Sequence, residues 1–492
     1  MTHLVEPRHR VSLDDYDRVG QLAVAVADLR QEALSLVPGL ADRRVWMVNS
    51  TAHGGGVAEL LPPLLTLLRD LGVDANWLVM RPSQPEYFSL TKRLHNLIHD
   101  EGDPDLGPAE RKLYQQVSSE VAEEIAAFVR DGDVLVTHDP QPLGAGALVR
   151  EKRVLTAIWR CHIGLDYRTP RTSAAWRFLQ PYAEAYDHTV FSAPEYIPAY
   201  LSGRTSIIHP GIDPLSHKNR DLRIHKLVGV LVDGGLTPAC GPVLAPPFSQ
   251  RARRLQPDGS WGPATEPDDI GLLFRPIITQ VSRWDRLKGF LPLMAGFVAL
   301  KRDVTSRAGL SPRERRALET VRLVLAGSDP EGVSDDPEGE QVVAEIRAAY
   351  LRLPPEMREA IAVVRLPMVS AKENALLVNA VQRCSDIVVQ NSLREGFGLT
   401  VTEAMWKSAA VVGTTAVGLR QQIRSGVDGV LVTDPTDPEE IARTLGDLLL
   451  DSRGREAMGR AAQRRVHDEF LVLTQVRRWL EVITYVAAAT RA

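Results

Sequence analysis

The chain has 492 residues, 44% hydrophobic and 24% charged, with 58 basic against 62 acidic side chains. That length gives two or three domains with sizeable cores, and the balanced charge excludes the basic stripe of a nucleic-acid binder. No apolar run reaches the roughly 18 residues of a membrane span, the N-terminus MTHLVEPRHR has no apolar signal core, and Cys161, Cys240 and Cys384 are too few and too scattered for a disulfide framework, so a cytoplasmic protein is expected.

Residues 14–37 repeat apolar positions at helical spacing and stop at Pro38-Gly39. Arg44–Asn49 (RVWMVN) reads as a buried strand, followed by Gly54-Gly55-Gly56, a helical pattern closed by Gly72, and a second strand at 76–80. This β–glycine loop–α–β unit is the building block of a doubly wound α/β sheet. A helix near 109–130 leads to a strand ending at His138-Asp139-Pro140. Further strands are expected at 154–162, 188–193 and 205–213.

Residues 215–272 are rich in Pro, Gly and Arg. They read as a loop or partly ordered insertion, about 219–272, with a short helix before it. Strands resume at 276–281, 321–327, 362–366, 387–390, 410–414 and 429–432, separated by helical patterns. The pattern gives an N-terminal α/β domain over 1–213, a second parallel α/β domain over 214–460, and a helical end over 461–492.

Three stretches carry chemistry. Glycines 54–56 lie between a strand and a helix, where backbone N–H groups and the positive end of the helix suit a phosphate, although a plain tight turn has the same sequence. They match neither the spaced dinucleotide fingerprint nor a Walker loop. Arg283 and Lys288, in SRWDRLKG, follow a strand at the edge where parallel sheets bind ligands. An arginine fork and a lysine charge there can neutralise a departing diphosphate. In EGFGLTVTEA, Glu395 and Glu403 are separated by seven residues. One is expected on a loop and the other on the first turn of a helix, with Thr400 or Thr402 near its start; carboxylates in such places accept paired sugar hydroxyls. Polar groups also follow strands of the first half: Asn49, His138 with Asp139, and His162. Each histidine alone reads as structural, but their repetition after successive strands points to a shared site.

SRWDRLKG followed by Glu395…Glu403 resembles the retaining glycosyltransferases of family 4. NSTAHGGGVAELL, THDPQP, WRCHIG and IHPGIDP are similar to the branch that holds trehalose glycosyltransferring synthase and trehalose phosphorylase. The resemblance implies the GT-B fold: two Rossmann-like parallel-sheet domains facing across a cleft, an acceptor domain first and a donor domain second, with the terminal helix crossing back to the first. It implies a metal-independent transfer from a nucleotide sugar, UDP-glucose or ADP-glucose, to a small sugar-like acceptor, with no other cofactor. Arg283 and Lys288 would hold the diphosphate and Glu403 the ribose. Glu395 and the amides of Gly396, Phe397, Gly398 and Leu399 would hold the sugar. Gly55 and Gly56 would face the diphosphate, and Arg365 and Leu366 the base. His162 would lie at the reacting centre, with Asn49, His138, Asp139 and Asp166 toward the acceptor. Gly164 and Asp166 depart from the expected acidic residue after Ile163, which bears on the acceptor. A phosphorylase, a non-catalytic homologue in specialised metabolism, and a homodimer all stay open. A dehydrogenase is disfavoured by the missing fingerprint.

Overall fold

The computed structural model describes residues 1–7, 10–52, 56–239, 248–304, 309–332 and 337–490. The apolar runs become short strands, and the central ones are buried along their whole length, as parallel strands covered on both faces must be. The chain divides into two compact units, Met1–Asp213 with Glu469–Ala492, and Pro214–Asp468.

In unit 1 the strands are β1 (His3–Leu4), β2 (Arg44–Asn49), β3 (Asp74–Val79), β4 (Val134–His138), β5 (Thr156–Cys161), β6 (His188–Phe191) and β7 (Thr205–Ile207). They form one sheet in the order β1-β3-β2-β4-β5-β6-β7, with only β1 antiparallel to its neighbour. The helix expected over 14–37 is broken into Leu13–Asp17, a 3-10 turn and Ala23–Leu36. The helical end also differs from a single element at 461–492. One helix, Ser452–Glu469, stays in unit 2, and a second, Val472–Ala489, packs in unit 1 with Trp479 buried. The return is stitched by Ile212 N–H to Phe470 O at 2.9 Å and Val472 N–H to Ile212 O at 2.9 Å. A side chain on Gly211 would meet Leu471 O at 2.7 Å, so only glycine allows this approach.

In unit 2 the strands are β8 (Arg253–Leu255), β9 (Trp261–Pro263), β10 (Ile277–Val281), β11 (Arg322–Ser328), β12 (Ile361–Leu366), β13 (Ile387–Val389), β14 (Ala410–Thr414) and β15 (Val430–Val432). Their order is β15-β14-β13-β10-β11-β12-β8-β9. The period of two along a strand separates two cores: Ile278 of β10 packs with Phe290, Phe297 and Leu445 on one face, and Ile277 and Val281 pack with Leu231 and Leu377 on the other. Truncating Phe297 in such a core costs about 3–5 kcal/mol. The described part of the insertion is ordered. It holds the helix Ile224–Asp233 and the β8–β9 hairpin, which extends the sheet antiparallel from β12. Its turn residues Asp258 and Gly259, the latter at φ 87°, reverse the chain, a signal masked in sequence by the surrounding proline and arginine.

Candidate functional site

In unit 2 the stretch after β10 is built residue by residue. Trp284 is buried against Phe290, and its indole N–H donates to Ser328 O at 2.8 Å. Asp285 accepts from Leu287 N–H at 2.8 Å and so caps the turn Arg286–Lys288. Gly289 ends that turn at φ 62°, where a Cβ would meet Asn391 O at 2.1 Å. The three cations of the stretch then separate. Arg286 pairs with Glu345, Lys288 turns inward, and Arg283 is exposed with no hydrogen bond or ion pair to any described residue.

Lys288 Nζ meets Glu395 Oε2 at 2.7 Å, with both side chains largely shielded from solvent. The same oxygen accepts from Ser392 Oγ at 3.0 Å and Gln390 Nε2 at 3.4 Å, and Gln390 Oε1 accepts from Ser282 Oγ at 2.9 Å. A buried ion pair needs this kind of supplementary bonding to offset its desolvation. The network joins the ends of β10 and β13.

The Gly396–Gly398 loop is held from beneath. Gln422 is fully buried and donates to Phe397 O, Gly398 O and Gly418 O, while its own oxygen accepts from Thr402 Oγ1 at 2.5 Å. A Cβ on Gly418 would meet Phe397 Cα at 2.4 Å, whereas one on Gly396 would meet nothing within 4 Å. Gly398 at φ 85° opens the helix Leu399–Trp406, which no side chain caps. Thr400 is its second residue, near the start as expected. Glu403 is its fifth residue, past the first turn where it was expected. The Glu403 carboxylate is buried 3.6 Å from Lys218 Nζ. Lys407 donates to Glu403 O at 2.9 Å and Asn219 Oδ1 at 3.2 Å, and burial pulls its ammonium down to about 7 against the opposing charge of Glu403.

Arg365, expected near the base, has its side chain engaged within unit 2. Its guanidinium is buried, stacked 4.2 Å over Trp261 of the hairpin, and bonded to Glu340 at 3.0 Å, with Asp329 and Glu331 each at 3.5 Å. An ion cluster whose Glu331 and Glu340 reach solvent holds the guanidinium. Leu366 places its side chain in the core, and its carbonyl accepts from Asp329 N–H at 2.8 Å.

In unit 1 the polar groups gather at the ends of β4 and β5. His138 Nδ1 lies 3.1 Å from His162 Nε2 with the rings stacked, and His138 Nε2 faces Met47 Sδ at 3.5 Å. Burial, and then the Arg160 guanidinium, push His138 down to about 3; the same two causes, with His138 added, hold His162 well below its ordinary value. Both imidazoles are neutral at physiological pH. Arg160 is fully buried; it donates to Ser192 Oγ at 3.0 Å and Ile208 O at 2.8 Å, and its NH1 has no hydrogen-bond partner among the described residues.

Asp139 accepts through Oδ1 from His162 N–H at 2.8 Å. Burial pushes its carboxyl up to about 6, against the lowering effects of that bond and of Arg160. Its backbone sits at φ 65° and ψ −177°, a region essentially confined to glycine and costing about 1–3 kcal/mol elsewhere.

The helix Pro140–Val149 that follows Asp139 is gripped by tyrosines. Tyr114 donates to Pro140 O at 2.6 Å, Tyr87 to Gln141 O at 2.5 Å and Tyr186 to Leu143 O at 2.8 Å. Gly144 and Gly146 make room for Tyr114 and Tyr186.

Asn49 is buried as a pin: its amide accepts from Trp77 Nε1 at 2.8 Å and donates to Thr51 O at 2.7 Å. Asp166 is exposed. Gly164 packs where a Cβ would meet the Tyr196 ring at 2.3 Å, so a side chain is excluded there. Gly56 begins the helix Gly56–Asp70 with open space at its Cβ, and Gly55 lies outside the described residues. Sequence reasoning missed Gln390, Ser392, Gln422, Gly418 and Lys218. The polar run Gln390-Asn391-Ser392 directly after a strand was the available signal for the first two.

Residues 47–198 match the family model described as trehalose synthase, N-terminal domain, and residues 364–465 match glycosyl transferases group 1. A trehalose synthase of Thermococcus litoralis is 32% identical over 96% of both chains, as is one of Rubrobacter xylanophilus. A trehalose phosphorylase of Pleurotus pulmonarius is 26% identical over 89% of this chain and 56% of its own. Among solved structures, an alpha,alpha-trehalose-phosphate synthase (UDP-forming) of Burkholderia vietnamiensis superposes with TM-score 0.62 at 16% identity, covering 91% of this chain and 99% of its own. A sucrose-phosphate synthase of Thermosynechococcus elongatus gives 0.59 at 16%, covering 91% and 100%. These two likenesses carry the fold alone, which is GT-B. The chain belongs to the trehalose synthase family and is a glycosyltransferase.

Proposed function

We propose that the chain moves a glucosyl unit, with retention, from a nucleoside diphosphate glucose to a small hydroxyl acceptor, glucose foremost, to give trehalose. The observation that carries the reading is the division of labour after β10: Lys288 is locked to Glu395 while Arg283 is exposed and unpaired. An unspent guanidinium on the same post-strand stretch as a fixed ammonium suits the pyrophosphate of the donor.

In this mechanism Glu395, oriented by Lys288 and Ser392, accepts from hydroxyls of the donor sugar. Amides at Gly396–Leu399, on the loop that Gln422 fixes, meet the same sugar. Glu403 takes the ribose hydroxyls. The acceptor is read by Asp139 and His162, and its attacking hydroxyl approaches on the face that the diphosphate leaves. The C–O bond to the diphosphate breaks as the new C–O bond forms, and a leaving-group oxygen takes the hydroxyl proton. Arg283 and Lys288 stabilise the growing charge. UDP-glucose and ADP-glucose are the expected donors, with no metal required.

A second reading, phosphorolysis of trehalose with inorganic phosphate, is favoured by the alignment of phosphorylases with 89% of this chain. A melting-temperature screen with UDP, ADP, GDP, their glucose conjugates and phosphate separates the two, since a ligand of the native state raises Tm. An acceptor panel read by mass spectrometry completes the test. Stabilisation by phosphate alone, with phosphate-dependent loss of trehalose, would overturn the nucleotide-sugar reading.

A further inference from the structure

Asp139 is the point of unit 1 where backbone and side chain disagree most. At φ 65° and ψ −177° it occupies space that suits glycine, and it precedes Pro140, which ordinarily drives its neighbour to negative φ. Such a conformation persists only where its surroundings over-determine it. Three hydrogen bonds do so: Asp139 N–H to Arg160 O at 2.7 Å, His162 N–H to Asp139 Oδ1 at 2.8 Å, and Trp159 Nε1–H to Asp139 O at 3.1 Å. The first two use the main chain of β5 and its exit. The third comes from a side chain. Trp159 is fully buried and edge-on to Phe191 at 5.7 Å, so its indole has a fixed direction. Tyr114 and Tyr87 hold the next two carbonyls, which stops the strain from relaxing into the helix. The other carboxylate oxygen, Oδ2, bonds to no described residue.

We propose that Trp159 is a positioning residue: its indole N–H clamps the Asp139 carbonyl in the strained conformation that aims the carboxylate, and this sets the affinity for the acceptor. The inference rests on the reading of this corner as the acceptor's, and the experiment keeps the two apart.

Trp159→Phe retains the buried ring and removes only the donor. Asp139→Gly and Asp139→Ala are prepared in the wild-type and Trp159→Phe chains, and their folding equilibria are compared by denaturant unfolding. With the clamp present, glycine relieves the strain and the Gly variant exceeds the Ala variant by about tenfold. Without it, residue 139 relaxes and the gap closes to within about twofold. In parallel, Trp159→Phe raises KM for the acceptor about tenfold while KM for the donor stays put, the cost of one lost oriented hydrogen bond. An unchanged Gly–Ala gap overturns the clamp. A closed gap with an unmoved acceptor KM makes Trp159 merely structural and overturns its role in recognition. If the wild-type chain transfers to no acceptor, the proposed function fails, and the stability gap still decides whether Trp159 clamps Asp139.

Discussion

At the ends of β4 and β5 the polar groups of unit 1 are closed in. Two histidines face each other with a buried arginine beneath them, and the only carboxylate among them, Asp139, is strained and pushed toward protonation. At the ends of β10 and β13 the polar groups of unit 2 are charged and partly open: Arg283 is exposed, Lys288 pairs with Glu395, and Lys218 stands beside Glu403. The first arrangement fixes direction at low charge, which suits hydroxyl groups of a neutral sugar. The second gathers cations, of which Arg283 has no anion among the described residues, and such a group suits a diphosphate. One chain thus uses backbone rigidity in one unit and charge in the other.

The sharpest break in this comparison is Lys288→Ala. If Lys288 steadies the leaving diphosphate, its loss removes a transition-state charge, and it takes the ion pair from the Glu395 carboxylate while the bonds from Ser392 and Gln390 remain. We expect kcat to fall about 10²–10³-fold, measured by initial rates with saturating donor and acceptor, with circular dichroism close to wild type and a lowered Tm from the uncompensated Glu395 carboxylate. The matching change in unit 1, His138→Gln, carries no charge to the reaction and should cost far less. Near wild-type turnover by Lys288→Ala would sink the diphosphate role.

Next come two glycines, one under each site. A Cβ at Gly418 strikes the backbone of Phe397, at 2.4 Å from Cα, which cannot yield without moving the Gly396–Gly398 loop. A Cβ at Gly146 strikes Tyr186 Oη at 2.1 Å and Thr137 Cγ2 at 2.7 Å. Each alanine should lower stability by about 1–3 kcal/mol. The kinetic consequences should differ: Gly418→Ala raises donor KM, and Gly146→Ala raises acceptor KM. Tyr186→Phe should recover part of the Gly146→Ala loss, since the hydroxyl is the nearest clash. A donor KM unmoved by Gly418→Ala would show that the loop has no part in donor binding.

The same two regions show how far a sequence can be read. Parallel strands were legible because a two-sided buried strand is a short apolar run, and the site stretches were legible because SRWDRLKG and EGFGLTVTEA gather glycines, cations and carboxylates at fixed spacing. What escaped depends on contacts between distant residues. Nothing in Gln422 says that it reaches back to Phe397 O, and nothing in Arg365 says that Trp261 lies over it; a lone polar residue in a helix or strand looks the same whether it binds a ligand or its own chain. The hairpin at Arg253–Pro263 was hidden because composition rich in proline and arginine imitates a loop, while antiparallel pairing to β12 supplies the order. The two glycines inside QPLGAGAL drew no reading from the sequence, yet they make the close approach of Tyr114 and Tyr186 possible.

The smallest predicted effect separates the two regions by pH. Asp139 is raised to about 6, so its ionised form is lost as pH falls through that value. If the carboxylate reads the acceptor, kcat/KM for the acceptor falls with a slope of one proton, reaching about tenfold at one unit below the midpoint. For stability the sign is opposite. The native state holds this proton better than the unfolded chain, so the contribution of Asp139 is fully present below 3.8 and is lost as pH rises through about 6. His138 and His162 are lowered, so their contribution is present above 6.5 and falls away in acid, for His138 toward about 3. Activity should therefore decline between pH 7 and 5 while the fold stays intact, and the imidazole resonances of both histidines should stay unprotonated across that window. An acceptor profile that instead followed imidazole protonation near 6.5 would move the titrating group from Asp139 to the histidine pair, and with it the claim that Arg160 and burial hold that pair neutral.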